Sequence, residues 1–210
     1  MPAPGRGRRE TIAERRERRA AVDDVALVLE AAARFLQTRS RSVTEVRRRL
    51  TAAGYRKALV EAAIGRLVEL GLLDDDAFAR AWVESRDRAR PRGEQALRRE
   101  LRLKGIDPVI VDGALAWRRG ERPDTLDADL DPDPACPRDP DLDAARRLLE
   151  RRGATLAREP DARRRRQKAY ALLARNGFAP DAASRASREL VERTAPEALD
   201  ETGEDVNEDG

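Results

Sequence analysis

The side chains in this chain that could do chemistry are guanidiniums. Of 210 residues 43 are basic, only Lys57, Lys104 and Lys168 are lysines, and there is no histidine. Arginine presents a planar fork of N–H donors that grips a phosphate or carboxylate at two points, which an ammonium cannot do. With no histidine and one cysteine, Cys136, neither a zinc site of the usual type nor a Cys/His or Ser/His nucleophile pair can be built. A P-loop is missing, and Gly5-Arg6-Gly7-Arg8-Arg9-Glu10 fails the dinucleotide fingerprint at its third glycine. We therefore expect no catalysis, cofactor or metal. What remains is recognition of anions.

The arginines fall in groups: Arg47, Arg48 and Arg49; Arg86, Arg88 and Arg90; Arg98, Arg99 and Arg102 with Lys104; and Arg163, Arg164, Arg165 and Arg166 with Lys168. A repeated joint must position them. Three times a leucine precedes a glycine by four residues, and a large apolar residue follows: Leu50…Gly54-Tyr55, Leu101…Gly105-Ile106 and Leu173…Gly177-Phe178. Steps of 100° per residue put Arg48 opposite the stripe of Val46 and Leu50, with Arg47 and Arg49 on its flanks. Arg98, Arg99 and Arg102 fall on the outward half of the second such helix, and the third helix opens with its four arginines. For any single arginine, a solvated face paired with a glutamate one turn away is the ordinary condition. Three recurrences point instead to a continuous basic stripe suited to phosphates or an acidic groove. Trp82, Trp117 and Tyr170 have apolar neighbours at helical spacing, so they read as core rather than as stacking platforms.

Around each joint lie helical stripes. Val25, Val28, Leu29, Ala32, Phe35 and Leu36 share one face. Ser42-Val43-Thr44-Glu45 has the capping-box form, and Val60, Ala63, Ile64 and Leu67 line a third helix. Asp74-Asp75-Asp76 opens the next unit with carboxylates at a helix N-terminus, and Asp107-Pro108 supplies a cap followed by a proline at the first helical position. Neither period-two alternation nor β-branched runs are present. The expectation is an all-α chain of tandem three-helix, helix-turn-helix-like repeats in an elongated array, with repeats over 21–71, 72–119 and 141–194.

Three further segments resist packing. Residues 1–20 are basic and carry little to bury, so they read as a mobile tail with at most a fraying helix; 120–140 form an acidic insert rich in proline and aspartate; 195–210 form an acidic tail. Neither an 18-residue apolar run nor a secretion signal is seen, so a cytoplasmic monomer that avoids membranes is expected.

From Phe35 to Leu115 the chain resembles the RecX family of bacterial recombination regulators. The residues that carry the likeness are Arg41-Ser42-x-x-Glu45-x-Arg47-x-x-Leu50-x-x-x-Gly54-Tyr55, Leu70-Gly71-Leu72-Leu73-Asp74-Asp75-x-x-Phe78-Ala79, Trp82-x-x-Ser85-Arg86, and Glu100-Leu101-x-x-Lys104-Gly105-Ile106. The resemblance implies tandem three-helix repeats that bind the RecA recombinase along the groove of its nucleoprotein filament. It also implies inhibition of ATP hydrolysis, strand exchange and stimulated cleavage of the SOS repressor; the basic stripe adds the expectation of weak, non-specific contact to single- or double-stranded DNA. The chain departs from the family pattern at Gly93-Glu94-Gln95-Ala96, where a Gly-Pro and a basic residue are usual, and at the acidic insert. A stand-alone helix-turn-helix DNA-binding regulator is the alternative, although no helix is rich in base-reading Asn, Gln and Arg.

Overall fold

The structure is a computed structural model and describes residues 10–121 and 139–193. Eleven helices run through the described residues, in the order α1 (Ile12–Ala20), α2 (Val25–Leu36), α3 (Val43–Ala53), α4 (Lys57–Glu69), α5 (Asp75–Ala89), α6 (Glu94–Leu103), α7 (Pro108–Arg118), α8 (Pro140–Arg151), α9 (Gly153–Leu156), α10 (Ala162–Arg175) and α11 (Pro180–Arg193). No strand occurs among them.

Helix starts follow the caps legible in the chain. Asp24, Asp74, Asp107, Asp139 and Asp161 each accept a backbone N–H from the first turn they precede, and Ser42 closes a capping box with Glu45. Behind these caps lie three separate apolar clusters. Val28, Val46, Leu50, Val60 and Leu67 build the first; Phe78, Val83, Leu97, Leu101 and Leu115 the second; Leu142, Leu149, Leu173, Phe178 and Leu190 the third. Burying a leucine fully is worth about 2 kcal/mol, so each small cluster holds its own three helices together. The array is a chain of such cores, as the repeated joint predicts.

Two details differ from the expectation. Within the segment read as a mobile tail with a fraying helix, residues 12–20 form the ordered α1, started by a reciprocal capping box of Thr11 and Glu14 and packed on the turn at Gly54. The additional short helix α9 buries Leu156 against the third core. The rest of the expected basic tail, most of the acidic insert and the acidic C-terminal tail lie outside the described residues.

Candidate interaction surface

The functional surface depends first on how the units are joined. At the start of α3, the Val43 N–H donates to Asp75 at 2.9 Å, the Ser42 hydroxyl to the Lys104 carbonyl at 2.7 Å and the Thr44 hydroxyl to the Gly105 carbonyl at 3.0 Å. At the start of α6 the pattern recurs one unit later. The Glu94 N–H donates to Asp141 at 3.1 Å, and the Gly93 N–H to the Asn176 carbonyl at 3.1 Å. The middle helices of units one and two therefore plug their N-termini into the turn of the following unit, where a carboxylate from that unit's first helix receives them.

The turn glycines are the sockets. Gly54, Gly105 and Gly177 all have positive φ, and a Cβ added to Gly105 or Gly177 would lie 2.4 Å from Thr44 or 2.5 Å from Ala96. At Gly54 the covering element is α1, with Arg16 2.6 Å from where a Cβ would stand. The Arg19 guanidinium donates to the Ala53 carbonyl and sits over the Tyr55 ring. Thus α1 takes at the Gly54 turn the place that a middle helix takes at Gly105 and Gly177.

Arg118, absent from the sequence-derived set, locks units two and three. Its side chain is only 4% exposed and donates to both Asp87 oxygens at 2.9 and 3.0 Å, to Asp141 at 2.6 Å and to the Pro140 carbonyl at 3.2 Å. Burial works against its charge, but the hydrogen bonds to Asp87 and Asp141 more than offset that and raise its pKa. Burial likewise pushes the Asp141 carboxyl up, with Arg118 pulling it back. Because Arg118 and Asp141 flank residues 122–138 and are bonded to each other, the chain leaves and re-enters the described fold at one place, beside the second joint. Sequence inspection had one signal for this lock, an arginine ending α7 and an aspartate opening α8, but nothing to pair them.

The predicted basic residues divide into tied and free. Arg47 holds Glu61 through two hydrogen bonds of 2.8 and 2.9 Å, and Arg98 holds Asp112 and Glu94. Both pairs join positions fourteen apart on the middle and third helices, so the repeat reuses one clamp. The hydrogen bonds to Glu61 and to Asp112 are the largest cause of the raised pKa of each arginine. Arg86 donates to Glu100 at 2.6 Å and lies over the Trp82 ring, whose N–H donates to the same carboxylate. Lys104 bridges to Glu45 at 2.8 Å across the first joint and is a joint residue. Arg88 pairs with Glu84, and Lys168 pairs with Glu159.

Arg48, Arg90, Arg99, Arg102, Arg163, Arg164 and Arg166 are exposed, with no side-chain hydrogen bond or ion pair among the described residues; Arg49 is exposed beside the Phe35 ring, and Arg165 is half-buried. Arg48 stands six residues before Gly54 and Arg99 six before Gly105, so two units present the same free cation in the same place. The corresponding position in unit three is Ala171. The repeated free cation is therefore found in units one and two, and the stripe expected to be uniform over three units does not continue at that position into unit three. In unit three the arginines are shifted to the beginning of α10.

Comparison with known proteins adds the family. Models of the first, second and third three-helix domains of RecX match residues 29–67, 74–115 and 139–186 respectively. The regulatory protein RecX of Chlorobium phaeobacteroides is 33% identical over 147 residues, which cover 70% of this chain and 82% of that protein. The chain belongs to the RecX family. RecX of Streptomyces coelicolor is 33% identical over 146 residues, 70% of this chain and 63% of that protein. RecX of Mycobacterium sp. (strain JLS) is 42% identical over 83 residues, so the matched part spans only 45% of that relative's length. The fold is also that of the crystal structure of RecX from Lactobacillus salivarius, at 20% identity and a TM-score of 0.62 over 80% of this chain and 97% of that one.

RecX membership accounts for the all-α repeat and extends to the third unit, beyond the Phe35 to Leu115 segment that carries the sequence resemblance. In this RecX-family chain no helix among the described residues is long and apolar enough to cross a membrane.

Proposed function

We propose that this chain binds along the nucleoprotein filament of the RecA recombinase and inhibits its ATP hydrolysis, strand exchange and stimulated cleavage of the SOS repressor. On this reading it is a cytoplasmic, non-enzymatic regulator. The observation that carries the proposal is the free pair Arg48 and Arg99, held at identical repeat positions while Arg47 and Arg98 beside them are tied down. A cation repeated at a fixed translation is best matched by a partner that repeats its own anions, and a helical filament does so. Membership of the RecX family, whose relatives are named regulatory proteins, supports the same reading. Bridging successive recombinase subunits would oppose the conformational cycling that hydrolysis requires.

The test is recombinase ATPase on single-stranded DNA with increasing amounts of the full chain, alongside co-sedimentation with assembled filaments. Inhibition and co-sedimentation near stoichiometric ratios are expected. Full ATPase activity at equimolar protein, with the chain left in the supernatant, overturns the proposal.

A further inference from the structure

We propose that the outward face of α10 is a binding site for single-stranded nucleic acid, with Arg163 and Arg166 meeting phosphates and Tyr170 stacking on a base. Three departures of unit three from its siblings meet on this face. First, the N-cap of α3 (Ser42) precedes Gly54, and that of α6 (Gly93) precedes Gly105, by the same interval, whereas the N-cap of α10 (Asp161) precedes Gly177 by one further turn. The added turn carries the arginines and stands where, in units one and two, the following unit would dock. Second, no described unit covers it, so Arg163 and Arg166 are exposed and unpaired among the described residues. Third, Tyr170 occupies the position of the clamp residues Arg47 and Arg98, and the position of their partners Glu61 and Asp112 holds Ser184, so the repeat's ion pair is replaced by an aromatic ring.

Tyr170 is 39% exposed, more than any other aromatic residue among the described residues. Trp82, by contrast, is occupied by Phe78, Arg86, Lys104 and Glu100. Residues 163, 166 and 170 lie at i, i+3 and i+7 and so share one side of the helix. A guanidinium pair in line with a ring is the chemistry of a strand whose bases are unpaired, since duplex bases cannot reach a side-chain ring. An acidic protein surface fits less well. Around this face the exposed side chains are Ala162, Arg163, Arg166, Gln167 and Ala174, without the large apolar centre that a protein interface desolvates. Lys168 is held by Glu159 at 2.5 Å and is not counted in the site.

The test uses the full chain and a labelled oligothymidine strand, with no recombinase present, so it is independent of the filament proposal. Tyr170→Ala is expected to weaken binding roughly tenfold or more, and Tyr170→Phe to leave it unchanged, because stacking needs the ring and not the hydroxyl. Tyr170→Trp should bind at least as tightly, which keeps the test decisive if the alanine variant unfolds. The double variant Arg163→Ala/Arg166→Ala should flatten the plot of log affinity against log salt by about 1.4, at about 0.7 per lost single-strand phosphate contact. Unchanged binding by Tyr170→Ala, or tighter binding to a duplex of the same length, overturns the proposal. So does a double variant that retains the strand and loses only the recombinase, which would make the face a protein surface.

Discussion

Asp75, at the first position of α5, accepts the N–H of Val43, at the first position of α3, across 2.9 Å. One unit later Asp141 receives Glu94 in the same way. The joint is thus a helix N-terminus docked on a carboxylate, and every prediction about shape or binding depends on whether it holds.

The second joint is the more heavily engineered by charge. Arg118→Met leaves the Asp141 carboxylate partly buried without its cation and Asp87 with only Arg147 at 3.9 Å, and removing one partner of a buried pair costs about 3–5 kcal/mol. Thermal unfolding should show that loss, and hydrogen exchange should place it in α8 and at the end of α5. Adding Asp141→Asn to Arg118→Met should recover part of it, and strictly additive losses would show that the two residues do not act together.

Socket glycines should tolerate alanine worse than other glycines of the same conformation. Gly105→Ala carries both the strain of a positive φ, about 1–3 kcal/mol, and a collision with Thr44 worth a similar amount. Gly71→Ala, whose φ is +67° with nothing within 4 Å of the new carbon, carries the strain alone. Denaturant unfolding of the two variants should differ by the collision, and equal losses would deny close packing at the joint.

Glu45 gives the first joint a pH dependence. Burial opposes its charge, but the hydrogen bonds from Lys104 and from the Ser42 N–H prevail, and its carboxyl is held below the ordinary range. A carboxyl lowered in the folded state contributes stability that is full at neutral pH and is lost as pH falls through its folded value. Glu45→Gln should therefore be less stable than the parent by about 1–2 kcal/mol at pH 7, and the gap should close in acid. Asp75 has the opposite sign, since burial raises its carboxyl despite the Val43 hydrogen bond. Its contribution weakens as pH rises through the carboxylate range. Chemical denaturation at neutral and acid pH separates the two; a gap for Glu45→Gln that widens in acid would contradict this account.

Tied and free arginines should separate stability from binding. Arg48→Ala/Arg99→Ala should leave the melting temperature within a degree or two and raise the concentration needed to inhibit the recombinase roughly tenfold, at somewhat under about 1 kcal/mol for each exposed charge. Arg47→Ala/Arg98→Ala should instead lower stability, and only modestly, because Arg47 and Glu61 are each about two-fifths exposed and screened by water. The reverse ranking in the two assays would remove the free pair from the binding surface.

The helices, their caps and the repeat were legible in the chain because they are local. An aspartate before an apolar stripe, or a glycine four residues after a leucine, acts within one or two turns, so Asp74, Asp107 and Gly105 announce their roles without any partner in view. The same locality hid α1, whose capping box at Thr11 and Glu14 precedes a helix with no buried residue of its own. Its reason for ordering lies on a surface far along the chain, at Gly54.

Which cations are free is a different kind of fact, because it depends on what stands opposite them. Arg47 and Arg48 are adjacent and chemically identical, yet only the first faces Glu61, fourteen residues on, and Arg118 becomes a lock only when Asp87 and Asp141 arrive from two other helices. Side-chain periodicity determines which way an arginine points. Only the packing of one helix on another determines whether a carboxylate is waiting there, since a charge–charge contact is set by a separation in space that the linear order of residues does not contain.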